Sequence, residues 1–205
     1  MRLQITSVPN LRPYLAHERV LLRRLIRLSP LVDDEYYELN LPFAIGAFGT
    51  YSTKVFLTTN GMVTLPTGTT IWDNDYYGFP SASLPNVVIA GLFDDLYIYQ
   101  GSQQGIYYEI FGETGHRSIV FEIYMSAYQR RTEFYHFSMT FYEDQPGVAL
   151  FKYYEVSRSG NSAHVGAQKW SAGKSLIYSA LQPKIHPGLS VKLDTVAGTI
   201  TEGSF

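Results

Sequence analysis

Between residues 117 and 143 the chain alternates apolar and polar side chains with a period of two, twice in succession. Over 117–126, Ile119, Phe121, Ile123 and Met125 fall on one side, and Glu122, Tyr124 and Ser126 on the other. Over 133–143, Tyr135, Phe137, Met139 and Phe141 alternate with His136, Ser138, Thr140 and Tyr142. A period of two places one set on each face of an extended strand, whereas a helix would scatter the same rings around its axis. Both stretches therefore read as strands with one buried face. The chain from Asp33 onward follows suit. Residues 37–42 alternate and stop at Pro42, and 53–65 form two β-rich runs around Asn60-Gly61, a dipeptide suited to a type I′ hairpin turn. Residues 87–93 are continuously apolar, as in a strand buried on both faces, and end at Asp94-Asp95. Further strands are expected over 105–111, 148–156, 163–168, 175–180 and 189–194. About a dozen short strands without βαβ alternation predict an all-β fold, an antiparallel β-sandwich of jelly-roll type.

Composition supports a packed core. Of 205 residues, 45% are hydrophobic and 15% aromatic, enough apolar surface to offset ordering entropy and exclude disorder. The absence of cysteine excludes a disulfide scaffold, a thiol nucleophile and any Cys-ligated metal. No run approaches the ~18 apolar residues of a membrane-spanning helix. The net charge of −2 hides an asymmetry: residues 1–30 carry six arginines against Glu18, a net +5, and the remainder carries −7. The chain thus divides into a basic N-terminal segment, 1–32, and a sandwich domain, 33–205. Leu11, Leu15, Leu22 and Ile26 lie at helical spacing with Arg19, Arg23 and Arg27 on a neighbouring stripe, so 11–28 reads as a short amphipathic helix or an irregular leader. With no lysine run and no RNA-binding consensus, nucleic acid is not an expected partner. The arginines interrupt every apolar run, so no signal peptide is legible.

Two groups of residues carry candidate chemistry. Asp94-Asp95 at a strand end, with Asn60 in a nearby turn, suits a hard cation such as calcium, its remaining oxygens coming from Asp73, Asn74 or Asp75. The alternative is that one aspartate caps a turn while the other is solvated. The loop 66–85 carries Trp72, Asp73, Asn74, Asp75, Tyr76 and Tyr77, which offer aromatic faces, carboxylates and an amide to a ligand. Packing of the loop over a sheet edge accounts for the same residues. Glu109, Glu122, Glu133, Glu143 and Glu155 are the carboxylates from which a glycosidase pair would be drawn, though alternation places most on solvent faces. His17, His116, His136, His164 and His186 show no metal-type spacing, and no nucleophile elbow, phosphate loop or dinucleotide fingerprint is present. The doublets Tyr36-Tyr37, Tyr76-Tyr77, Tyr107-Tyr108 and Tyr153-Tyr154 put one ring on each sheet face.

An ordered set of motifs then suggests a family. Leu41-Pro42-Phe43 precedes Val55-Phe56-Leu57-Thr58-Thr59-Asn60-Gly61, which is followed by Leu84-Pro85-Asn86-Val87-Val88-Ile89-Ala90-Gly91-Leu92-Phe93-Asp94-Asp95. Gly105-Ile106-Tyr107-Tyr108 and the late Ala163-His164-Val165-Gly166 complete the series. In that order, over about residues 39–170, they resemble the nidogen-type extracellular (NIDO) domain in its secreted microbial or fungal form, with Phe93 where the family commonly has tryptophan. The resemblance implies a β-sandwich that is secreted or displayed at the cell surface. It also implies a non-catalytic interaction or adhesion module, binding a protein or glycan partner through loop 66–85 and the Asp94-Asp95 turn. The alternative is a small enzyme, a glycan hydrolase or biosynthetic enzyme, with a tyrosine-lined pocket.

Overall fold

The alternating stretches are strands, and the faces buried are those that the period of two selects. In the computed structural model, which describes residues 24–26, 33–74 and 78–205, the chain forms two antiparallel sheets. The larger runs in the order β1 (Arg24–Ile26), β7 (Gly105–Phe111), β8 (Ser118–Ala127), β9 (Arg130–Tyr142), β10 (Val148–Val156), β13 (Leu189–Asp194) and β14 (Thr199–Ser204), with β6 (Leu96–Tyr97) also paired to β8. The smaller runs β12 (Lys174–Ala180), β11 (His164–Lys169), β5 (Val87–Phe93), β4 (Met62–Leu65), β3 (Thr50–Thr58) and β2 (Tyr36–Ala47). Phe121, Ile123, Tyr135, Phe137 and Met139 of the larger sheet share one core with Val55, Leu57, Val63, Val87 and Ile89 of the smaller. The all-β sandwich expected from patterning is the fold observed.

Two local expectations change. Asn60-Gly61 does turn the chain between β3 and β4, but Phe56 opposes Thr64 and Leu57 opposes Val63, which leaves the three-residue loop 59–61. Gly61 alone of these has a positive φ, +73°, so the turn is of the three-residue kind with glycine in the left-handed position, and not type I′. Glycine is needed there twice over, since a Cβ would lie 2.0 Å from the Leu92 carbonyl oxygen. Within the stretch read as a helix, Arg24–Ile26 is a strand antiparallel to β7, with Arg24 opposite Tyr108. The rest of that stretch lies outside the described residues.

The position of the β5 terminus follows from a β-bulge. Ala90 pairs with Gly166 and Phe93 with His164, so Gly91 and Leu92 together oppose Val165. The amides of Gly91 and Leu92 both aim at one acceptor, the Gly61 carbonyl, at 3.2 and 3.5 Å. One extra residue shifts the alternation by half a period. Val87, Ile89 and Leu92 accordingly face the core, whereas Val88, Ala90 and Phe93 face outward. The Gly91 carbonyl accepts a 2.6 Å hydrogen bond from the Tyr153 hydroxyl, which reaches it across the core from β10. Residue 91 must be small: a Cβ would stand 2.7 Å from Met139 Cγ and 2.9 Å from Phe137 Cε2.

Tyr153→Phe should therefore cost about 1–3 kcal/mol in denaturant unfolding, because it strands a buried carbonyl. Gly91→Ala, which overpacks the same spot, should cost at least about as much, 1–3 kcal/mol, with the m-value unchanged.

Candidate functional site

The half-period shift sends the two aspartates that follow β5 to different places. Asp94 turns into the body and is 6% exposed. Its Oδ2 accepts from the Ser162 hydroxyl at 2.7 Å, and its Oδ1 accepts from the Asp95 amide at 3.0 Å. Asn74 completes this network: its side-chain amide donates to the Phe93 carbonyl at 2.9 Å and to the Ser162 carbonyl, and its own carbonyl accepts from His164 Nε2 at 2.9 Å. The Tyr135 hydroxyl, buried near Asp94, is pushed up to about 12, chiefly by desolvation. Asp94 and Asn74 are thus the clasp that fixes loop 66–85.

That loop covers the outward face of β4 and β5, and does not run along an edge. Ile71, Phe79 and Leu84 pack on Met62, Val88, Ala90 and Phe93. Gln168, fully buried, binds the loop through both ends of its amide: Ser81 N–H donates to its oxygen at 2.7 Å, and its nitrogen donates to the Ser81 and Pro85 carbonyls at 3.0 Å. The physical reason lies in β5, whose two apolar faces both need cover. Of the six loop residues singled out for binding, Trp72 is 49% exposed, Asp73 is half-buried and Asn74 belongs to the clasp; Asp75, Tyr76 and Tyr77 lie outside the described residues.

Asp95 turns the other way, toward Asp33 and Asp34 at the entrance to β2. One carboxylate oxygen from each lies within 4.8 Å of the others, the one grouping of three metal-ligating side chains found among the described residues. Asp34 is held in a left-handed conformation (φ 50°) by the bonds that pair Glu35 with Thr59. Buried Asn60 gives its amide nitrogen to Asp34 Oδ1 at 2.8 Å and to the Ile71 carbonyl at 3.3 Å, while its oxygen accepts from the Leu96 amide at 3.1 Å. Asp33 Oδ1 is buried and has no hydrogen-bond partner among the described residues. Burial first, and then the charges of Asp34, Asp33 and Asp94, push Asp95 up to about 7. Burial also raises Asp33 and Asp34 above the usual carboxylate range.

Of the set Asp94, Asp95 and Asn60, then, Asp95 sits in the carboxylate cluster, Asn60 orients Asp34 with its nitrogen, and Asp94 points away. The structure adds Asp33 and Asp34, an adjacent acidic pair in the sequence whose link to Asp95 exists only after folding. A rim of rings adjoins them. The Tyr128 amide donates to the Asp95 carbonyl at 2.9 Å, Tyr97 stands 4.6 Å from Tyr99 and 5.6 Å from Tyr128 between ring centroids, and the Arg131 guanidinium lies over Tyr99.

The glutamates are dispersed. Glu122 bonds His136 at 2.6 Å, Glu143 is drawn down to about 2 by its hydrogen bonds to Arg117, and Glu133 faces Arg130 and Arg158. A cleft of about 330 Å³ opens between β2 and β7, lined by Leu39, Asn40, Leu41, Pro42, Tyr108 and Ile110. No helix among the described residues is long and apolar enough to cross a membrane.

The family described as NIDO related matches residues 23–198, and the chain belongs to it. Domains of this kind are typically extracellular. No curated protein and no solved structure matches the chain.

Because Asp95 holds its proton more tightly when folded than when unfolded, its contribution to stability is greatest below the ordinary aspartate value of 3.8 and is lost as pH rises through about 7. Asp95→Asn should therefore raise the melting temperature at pH 8, by about 1 kcal/mol of stability once solvent screening is discounted, and flatten the pH dependence between 4 and 7.

Proposed function

We propose that this NIDO-related chain is a non-catalytic extracellular interaction or adhesion module, secreted or held at a cell surface. It binds its protein or glycan partner at the end of the sandwich where loop 66–85 meets the Asp95 turn. The observation that carries the reading is the convergence there of Asp33, Asp34 and Asp95 within 4.8 Å, with the amide of exposed Tyr128 bonded to the Asp95 carbonyl and the Ile71 carbonyl, next in sequence to exposed Trp72, bonded to Asn60. Three carboxylates this close repel one another, and a hard divalent cation removes the repulsion. Calcium accepts six to eight oxygens, so three aspartates leave positions for water and for hydroxyl or carboxylate groups of a partner. In this reading Asp33, Asp34 and Asp95 hold the ion. Asn60 orients Asp34, Asp94 with Asn74 anchors the loop, and Trp72 and Tyr128 contribute the apolar contacts that binding surfaces draw from aromatic rings.

The reading makes the two adjacent aspartates separable. Millimolar calcium should raise the melting temperature over that in EDTA at pH 7.5 by several degrees, following mass action on the folded state. Asp95→Ala should abolish that difference. Asp94→Ala should lower the melting temperature in both buffers, by about 1–3 kcal/mol of stability for a broken buried network, and preserve the calcium response. An unchanged melt with calcium in the parent chain would exclude the cation. Trp72→Ala, which leaves the core untouched, should weaken capture of a partner identified on a glycan or extracellular-protein array without altering the melt.

A further inference from the structure

We propose that the end of the sandwich opposite the Asp95 turn is a docking surface for a phospholipid membrane. β3 runs from Thr50 to Thr58, so the turn 48–49 that precedes it lies at the far end from the 59–61 loop and Asp95. Three other turns gather beside it. The Phe48 amide donates to Thr195 Oγ1 at 3.0 Å, Thr195 Oγ1 donates to the Gly147 carbonyl at 2.8 Å, and Lys169 Nζ donates to the Phe48 carbonyl at 3.4 Å. The β2–β3, β9–β10, β11–β12 and β13–β14 turns are thereby held together. Around them apolar side chains stand in water. Val196 is 71% exposed, the most of any large hydrophobic residue among those described, Trp170 is 45% exposed and Tyr51 37%. Tyr51 and Val196 both border Gly147, where a Cβ would stand 3.0 Å from Tyr51 Oη and from Val196 Cγ2. Trp170 directly follows Lys169.

Charge selects the occupant. Lys169 and Lys174 stand directly opposite each other across β11 and β12, on either side of the Trp170 turn. Like charges so placed repel, and an anion beside them removes the repulsion. The carboxylates of this end are already engaged. Glu143 pairs with Arg117 at 2.6 Å, Asp144 with His116 at 3.2 Å, and Asp194 Oδ1 accepts from the Val196 and Ala197 amides at 3.0 and 2.9 Å. What this end offers is therefore two lysines beside exposed tryptophan, tyrosine and valine. Anionic headgroups over a hydrocarbon layer match both chemistries. Ammonium groups stay with the phosphates, the amphipathic rings sit at headgroup depth, and valine enters the acyl boundary. A protein partner would need a separate pocket for each tip, whereas a fluid lipid surface closes around tips of any relief. None of these residues belongs to the Asp95 end, which would point away from the membrane, so the two sites can be tested apart.

The test mixes the full chain, in EDTA, with vesicles of phosphatidylcholine alone and of phosphatidylcholine with phosphatidylserine. Co-sedimentation should be stronger when phosphatidylserine is present. Trp170→Ala and Val196→Asp should each weaken it about tenfold or more, the scale of withdrawing one large apolar side chain from lipid, without moving the melting temperature. Lys174→Glu should weaken binding to the phosphatidylserine vesicles about fivefold or more, and spare binding to phosphatidylcholine. In a Trp72→Phe background Trp170 is the sole tryptophan. Its emission should then shift to the blue on adding vesicles and be quenched by brominated acyl chains. The six arginines of residues 1–30 would draw the chain to anionic lipid by another route. Binding that survives both Trp170→Ala and Val196→Asp with no blue shift therefore overturns the proposal. Failure to bind either vesicle overturns it as well, even where Trp170 proves to bind a soluble protein. A missing calcium response at Asp95 would leave it standing.

Discussion

The hydrogen bond from Tyr153 to the Gly91 carbonyl, spanning the core from one sheet to the other, secures the bulge on which the rest of the molecule depends. A bulge leaves a carbonyl without its ladder partner, and such a group buried in an apolar core is costly unless satisfied. Tyr153 satisfies it, and two glycines make room: Gly61 presents the carbonyl on which two amides converge, and Gly91 lets Phe137 and Met139 approach the backbone. Remove the bulge and β5 would keep its phase. Leu92 and Phe93 would then exchange faces, and the aspartates after them would exchange surroundings.

From that phase shift the site follows. Asp94, turned into the body beneath loop 66–85, closes the network with Asn74, Ser162 and His164 that ties that loop down. Asp95, delivered to the end of the sandwich, meets the acidic pair before β2. One of two neighbouring carboxylates is thus spent on architecture while the other is placed against two like charges. That contrast in surroundings is why Asp94 is a buried hydrogen-bond acceptor while Asp95 is pushed toward neutrality. Three like charges are thus crowded at one end of a NIDO-related sandwich, and protonation of Asp95 relieves them.

Much of this fold was legible before folding was considered. The in-phase rings from Ile119 to Met125 and from Tyr135 to Phe141 define strands and their buried faces, because a period of two has one consistent solution. The unbroken run 87–93 announced burial on both sides, and loop 66–85 proved to be the second cover it requires. The ordered motifs from Leu41 to Gly166 pointed to the family that the match over residues 23–198 establishes. Other features were not legible. Asn60-Gly61 favours a two-residue turn by local preference, yet β3 and β4 pair one step further out because Gly61 must also receive the bulge. The helical spacing of Leu22 and Ile26 gave way, over Arg24–Ile26, to pairing with β7.

What the sequence determined by itself was most of the strands, the buried faces of the alternating ones and the acidic doublets, since periodicity and burial are local consequences of side-chain chemistry; β1, β6 and β14 were not among them. What only the tertiary structure decided was which carboxylates meet. Asp33 and Asp34 lie some sixty residues from Asp95 in the chain, and their approach depends on a one-residue bulge that no local pattern encodes, because its cause is a tyrosine on the opposite sheet.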